Sequence, residues 1–406
     1  MLLHVLHVCA SLAETEFQIS MSIGLKLSPQ HRVYAGFCLH AIAMGSVFPR
    51  MADIKAQMGV GEQALGLSLI GIPSGTMLAL SFATPLIERI GFRRTLLGAV
   101  PLMAFGYALA VQAMSPALFF LALVPIGFLL GCVEIVLNTE ADRVEHLIGR
   151  RIMNRAHSFW SFGFFGAGFA GAGMAQLGLS PQMHLALIAP AIALGIAVFL
   201  GKFEAAPSRI VEHDKERPKF SLPSLAILGL VTVTLSSMLM EGAGIDWSAI
   251  YMRNIFNSGP FMAGVAVATV ALSQAIARFF ADGFIEKHSP ASVTRLLAAV
   301  MLTGIIIAFL APSPPMSLLG FALIGIGCSV MFPLAISAAA QLTDRPSAIN
   351  VASMIQTSFM VFLLGPPLLG AVGQHFGAQW IFGVGAPLAV LSWFTAKALG
   401  ESKSSL

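Results

Sequence analysis

Twelve long apolar runs leave this chain few ways to fold: 33–49, 65–87, 95–114, 116–138, 158–179, 184–201, 222–240, 260–285, 294–311, 315–340, 349–373 and 379–397. Each is long enough to cross a hydrocarbon core of about 30 Å as a helix. Lipid gives backbone N–H and C=O groups no partner, so a spanning segment must be helical or part of a closed barrel, and no run alternates as a barrel strand does. With 57% hydrophobic and 10% charged residues over 406 positions, an ordinary soluble enzyme is excluded. The sequence predicts an all-α polytopic membrane protein with twelve transmembrane helices, solvated mainly by the lipid bilayer.

Positive charge pools at every second gap between the runs. With both termini and the even-numbered gaps assigned to one side, that side holds 19 of the 23 Lys and Arg. They are grouped as Lys26 and Arg32; Arg89, Arg93 and Arg94; Arg143, Arg150, Arg151 and Arg155; the 202–219 cluster; Lys287 and Arg295; Arg345; and Lys397 and Lys403. Arg50, Lys55 and Arg253 fall on the other side, and Arg278 lies inside a run. The excess marks the cytoplasmic face, so both termini are expected inside a bacterial inner membrane. The formal charge of +4 then calls for no nucleic-acid partner.

Cys9, Cys38, Cys132 and Cys328 show neither metal-ligand spacing nor paired loop positions, so no disulfide and no metal site are expected. Residues 1–30 form a cytoplasmic tail that does not resemble a signal peptide, because Glu14 and Glu16 follow the short apolar start without a basic segment before it.

Internal repetition divides the rest. Leu86-Ile87-Glu88-Arg89 matches Phe284-Ile285-Glu286-Lys287 at an offset of 198, as Gln176 matches Gln374; Gly131-Cys132 matches Gly327-Cys328 at 196, which pairs Glu134 with Val330. These matches indicate two pseudo-symmetric six-helix bundles, 31–203 and 221–406, in parallel topology. The segment 204–220, with Pro207, Pro218 and alternating charges, is the expected cytoplasmic linker.

Two six-helix bundles with a site between them is the plan of an alternating-access carrier. The gap Thr84-Pro85-Leu86-Ile87-Glu88-Arg89-Ile90-Gly91-Phe92-Arg93-Arg94 resembles the loop signature of the major facilitator superfamily, with Thr84 for the usual Gly and Glu88 for the usual Asp. Glu134 to Asn138 with the 157–163 stretch, Glu241 to Trp247, Phe332-Pro333-Leu334 and Gly365-Pro366-Pro367 resemble the bacterial YbjJ branch. Gly131-Cys132-Val133-Glu134 with Asn138 also resembles the fourth-helix motif of the fucose permease group, which are proton-coupled sugar importers. That resemblance makes Glu134 the proton carrier; the acid that fucose permease has in its first helix finds no match, since the first run offers only His40, with Asp53 beyond its end.

The residues themselves give further candidates. An ionised Glu134 inside a span costs roughly 2.5–3.5 kcal/mol on insertion scales and so faces a cavity or a partner; the plainer alternative is a structural cap near the end of span 4. Asn138 lies one turn away on the same face, placed to bond substrate or the carboxyl. His157 and Trp160 open span 5, the first as a proton exchanger or a solvated interface residue, the second as a stacking platform for a sugar or a belt residue. Arg50 either snorkels or meets an anionic substrate. Glu241 and Asp246 flank Gly242 and Gly244 at the expected outer end of span 7, where two glycines permit a bend; a gate and a solvated anchor beside a belt Trp247 are equally open for Asp246, while Glu241 is expected to line the cavity as a substrate-binding candidate. Arg278 and Asp282 stand four apart and are expected to pair along one helix face. With Glu286 they form a gating latch that repeats Glu88 and Arg89.

Gly166-Ala167-Gly168-Phe169-Ala170-Gly171 fits the pattern of a dinucleotide site, but no strand precedes it. Gly163, Ala167, Gly171 and Ala175 recur every four residues and predict a smooth face for close helix packing. No phosphate loop or hydrolytic triad appears, so no cofactor, ATP coupling or enzymatic activity is expected. The leading function is proton-coupled symport of a small polar solute, a sugar or related metabolite, by a monomer. The alternative is a proton-antiporting exporter of drugs or metabolites. The fifth span lacks a Gly-Pro pairing and the fourth has Leu123 where such exporters carry an early Arg, which favours symport. A membrane sensor would want a soluble domain, and an intramembrane enzyme a catalytic constellation.

Overall fold

A computed structural model describes residues 25–207, 222–285 and 287–400. Most of the expected tail, most of the linker and Glu286 lie outside the described residues, and of Asp282 only the backbone is described. The long helices, in chain order, are α1 (Pro29–Gly45), α2 (Glu62–Phe82), α3 (Phe92–Ala110), α4 (Pro116–Ile148), α5 (Met153–Gln176) and α6 (Pro181–Leu200). The second set is α7 (Leu225–Phe256), α8 (Pro260–Ile285), α9 (Pro290–Leu310), α10 (Pro314–Gln341), α11 (Ser347–Phe376) and α12 (Ala378–Leu399). There is no strand among the described residues.

Local sequence sets many of the starts. Ser-Pro pairs open α1, α4, α6, α9 and α10, with proline at the first helical position, where its missing N–H costs nothing. The hydroxyls of Ser115, Ser180 and Ser289 accept from the N–H groups of Leu118, Met183 and Ser292, as Ser224 does from Ile227 at α7. Each satisfies one donor that the first turn leaves free.

Among the described residues, nine helices are long and apolar enough to cross a membrane: α2, α4 and α6 to α12. The other three coincide with predicted runs but are shorter or more polar. α1 has 17 residues, α3 opens on Arg93 and Arg94, and α5 on Asn154, Arg155 and His157. Two helices outrun their apolar cores. α4 has 33 residues and α7 has 32, about 50 Å each at 1.5 Å per residue. Hydropathy ends a run at its first polar cluster, whereas the backbone ladder continues as long as those polar side chains find partners.

Close crossings recur in the two halves. A Cβ on Gly127 of α4 would strike the Ile72 carbonyl of α2; one on Gly325 of α10 would meet the Val270 carbonyl of α8 at 2.5 Å. Gly106 of α3 meets Ile126, and Gly304 of α9 meets Ile324, both at 2.8 Å. All four residues of the first set are displaced by 198 from their counterparts, so the repeat is built into the packing. By this register Glu134 corresponds to Phe332 rather than Val330; α10 loosens at Ser329 and Val330, and no gap in the alignment is needed.

The halves meet along α5 with α8 and α2 with α11. Gly264 stands against Ala172 and Gly168 against Ala268, while Gly66 stands against the Pro366 carbonyl and Gly370 against that of Glu62. The expected smooth face of α5 also packs: Gly163 lies on the Cys38 carbonyl, Ala167 on Gly45 and Gly171 on Pro49, all from α1 and its extension. Small residues let helices approach this closely where no hydrophobic force drives them together in lipid.

Candidate functional site

Glu134 falls in the middle of α4, inside the span as the leading reading has it and away from the end that the alternative of a structural cap requires, because the helix runs on to Ile148. Asn138, one turn later, donates from Nδ2 to Glu134 Oε2 at 2.9 Å and to the Glu134 carbonyl at 2.9 Å. The other carboxyl oxygen, Oε1, is turned to α1, where His40 Nδ1 lies 3.8 Å away. His40 is fully buried, and neither ring nitrogen has a hydrogen-bond partner among the described residues. At 3.8 Å the pair is beyond hydrogen-bond length but close enough for charge on one to act on the other.

Across the interface stands Arg278 of α8. Its Nε donates to the Ser329 carbonyl at 2.8 Å, where the loosened turn of α10 frees an acceptor. Its Nη2 faces Glu241 of α7 at 3.4 Å and its Nη1 faces Ser161 of α5 at 3.4 Å. Irregular backbone at membrane depth survives where a side chain satisfies it, and Arg278 performs that service here. Arg278 thus has partners on three other helices; the expected pairing with Asp282 involves a side chain outside the described residues. His157 opens α5 with its ring 5.0 Å from Phe37, within electrostatic range of both His40 and Arg278. Trp160 stacks on Phe164 at 5.2 Å; its indole N–H is buried without a partner among the described residues.

Glu241 and Asp246 were expected at the outer end of span 7; both lie well inside α7, which stays helical through Gly242 and Gly244 to Phe256. Gly244 packs on Val270, and Gly242 faces open space. Trp247 is fully buried against Gly370, which removes it from an interfacial belt. Asp246 makes no hydrogen bond or ion pair among the described residues.

Beyond Asp246, polar ties join the halves at one end of the bundle. Arg253 Nη2 meets Asp53 Oδ1 at 2.6 Å, and Asp53 Oδ2 accepts from Arg50 Nε at 2.8 Å. Glu62 accepts from Lys55 and, at 2.8 Å, from Asn254; Gln374 Oε1 accepts from the Gln63 N–H at 3.1 Å. Arg50, a sequence candidate for substrate contact, is instead spent on Asp53 and the Leu179 carbonyl, 2.7 Å away. It borders a surface hollow of about 460 Å³ with Gln57, Ser180 and Gln182. At the opposite end Glu88 and Arg89 are exposed and without hydrogen-bond or ion-pair partners among the described residues; the other members of the expected latch, Asp282 and Glu286, have side chains outside the described residues.

The structure therefore gathers Glu134, Asn138, His157, Glu241 and Arg278 around one interface, with Trp160 one turn above His157, and separates Arg50, Glu88 and Arg89 from them. Sequence reasoning missed Asp53, Glu62 and Asn254 as ties and underrated His40. A lone histidine in an apolar run was the available signal for the last. Among the described residues no three His, Cys, Asp or Glu are grouped to hold a metal.

The model of the Major Facilitator Superfamily matches residues 226–404. An uncharacterized MFS-type transporter of Yersinia pestis is 28% identical over 373 residues, covering 92% of this chain and 96% of that protein. Among solved structures, the nucleoside transporter NupG superposes with a TM-score of 0.70 at 15% identity, covering 92% of this chain and 100% of that one. The E. coli fucose:proton symporter FucP gives 0.56 at 17% identity, covering 92% and 99%. These matches support the major facilitator superfamily, and the fold is the major facilitator fold.

Proposed function

We propose that this chain is a secondary active transporter that works by alternating access and couples a small polar solute, a sugar or related metabolite, to protons. In this reading α1, α3 and α5 complete twelve spans, both termini and the linker lie on the cytoplasmic side of a bacterial inner membrane, and the tied end around Arg253 faces outward. The fourth-helix likeness to the fucose permease group and the likeness to the YbjJ branch both belong to this proposal.

One observation carries it. Glu134 is an acid inside the bundle whose charge is not matched by a bonded Lys or Arg among the described residues: Asn138 holds one oxygen and the other is turned to a histidine. Glu241, by contrast, already has Arg278. Of these two, the first can gain or lose a proton without breaking an ion pair, which is what a coupling group requires; Asp246 is also unpaired among the described residues, but Glu134 alone has the fourth-helix likeness beside it. One proton moving inward across about 100 mV supplies about 2.3 kcal/mol, enough for roughly 50-fold accumulation.

The test is Glu134→Gln in proteoliposomes. Uptake driven by a pH gradient is expected to vanish while exchange between equal solute pools persists. Gradient-driven accumulation at the wild-type level would overturn the assignment, and solute leaving against an inward proton gradient in the wild type would replace symport by antiport.

A further inference from the structure

His40 is the buried group the coupling scheme leaves unused. It has no exposed surface, and neither ring nitrogen is hydrogen-bonded among the described residues. A buried imidazole without a bond carries the cost of an unsatisfied polar group, which a partner arriving in another state of the carrier would relieve. Its Nδ1 faces the one oxygen of Glu134 that Asn138 leaves free, across a gap of 3.8 Å. The two carboxyl oxygens are thus divided between a fixed donor and an unmade contact.

The other groups around the ring narrow its role. Four helices pack on α1. From α4 comes Glu134, and from α5 His157, with Arg278 of α8 behind it. From α3, Arg93 turns to the Gly201 carbonyl at the far end; from α6, His184 sits beside Pro49 and Gly171 at the other end, within electrostatic range of Arg50. The acid within reach of His40 is therefore Glu134.

We infer that His40 is the positioning partner of the coupling carboxyl: when Glu134 Oε1 loses its proton, the 3.8 Å gap closes and His40 Nδ1–H donates to the carboxylate. The O–H bond of Glu134 breaks, the proton leaves to the water-filled side of the carrier, and the imidazole stays neutral with its own proton on Nδ1. The new bond favours the ionised form in a setting that otherwise opposes it, so His40 fixes the pH at which the carrier unloads. The inference rests on Glu134 being the titrating group.

The experiment titrates the carboxylic-acid C=O stretching band by infrared difference spectroscopy on purified protein in liposomes, with Glu134→Gln as the blank that identifies the band. In His40→Leu the midpoint is expected about one pH unit higher than in wild type, the size of a lost bond to a charged group. His40→Asn, whose amide N–H takes the place of Nδ1–H, is expected to stay near the wild-type midpoint. That rescue also separates loss of the donor from loss of packing. A band that is removed by Glu134→Gln but has the same midpoint in wild type and His40→Leu overturns the role of His40 alone. A titrating band no smaller in Glu134→Gln than in wild type overturns both His40 and Glu134.

Discussion

Arg253 Nη2 lies 2.6 Å from Asp53 Oδ1, and through that contact the far end of α7 holds the helical segment that follows α1. Asp53 is shared with Arg50, so one carboxylate balances two guanidinium groups drawn from different halves.

Removing that carboxylate leaves two cations facing each other at the closure. Asp53→Asn is expected to separate the two halves at this end, read as a longer mean distance between spin labels at exposed Gln112 and Gly259. A double-mutant cycle with Arg253→Gln should return a coupling of about 1 kcal/mol in stability, since both side chains are part-exposed. Additive single effects would show that the contact carries no closure energy.

Arg278 joins α7, α8 and α10, and its loss strands Glu241 and frees the Ser329 carbonyl. Arg278→Met is expected to destabilise by about 2–4 kcal/mol, visible as a lower melting temperature in detergent. Arg278→Met with Glu241→Gln should recover a large part of the loss, because no charge is then left unpaired. A double variant as unstable as the single would place the cost in the carbonyl of α10 and not in the ion pair.

Glycine contacts in the two halves make a paired test. Gly127→Ala and Gly325→Ala each push a Cβ into a backbone carbonyl and are expected to lower stability by about 1–3 kcal/mol. Gly242→Ala, with open space around it, should leave the melting temperature unchanged or slightly raised. Equal effects at all three positions would mean that helix propensity, not the crossing, governs them.

Orientation is checked by labelling. With the native cysteines replaced, a cysteine at exposed Gln112 should react with an impermeant maleimide from outside the cell, and one at exposed Lys202 only after the membrane is opened. The reverse pattern would invert the topology and move the Asp53 closure to the cytoplasmic end.

Much of the architecture was legible because lipid imposes one rule on every span. Apolar runs located the helices to within a few residues at α6, α8 and α9, and the small-residue spacing of α5 anticipated its contact with α1. The errors share a cause. At α7 the run stopped at Glu241, since hydropathy scores a residue alone and cannot see that Arg278 faces it. Pairing across helices was likewise invisible for Asp53 with Arg253, 200 positions apart, because an acid at a helix end gives no sign of its partner. Trp247 looked interfacial by its place in the sequence, but the Cβ-free surface of Gly370 admits its ring to the interior.

Of the 33 residues of α4, the last fourteen follow Glu134, an arm of about 21 Å at 1.5 Å per residue. Along that arm Glu140 accepts from the Ala206 N–H at 2.9 Å, and Glu145 accepts from the N–H groups of Ile152 and Met153 at 2.6 and 2.7 Å. The start of α5 and the entry to the interdomain segment are therefore clamped to the same rod that bears the acid. A tilt of about 10° pivoting near Glu134 would displace the tip by about 4 Å. In mechanical terms α4 is a lever with Glu134 near its pivot, and its tip moves the start of α5 and the segment that enters at Ala206 together.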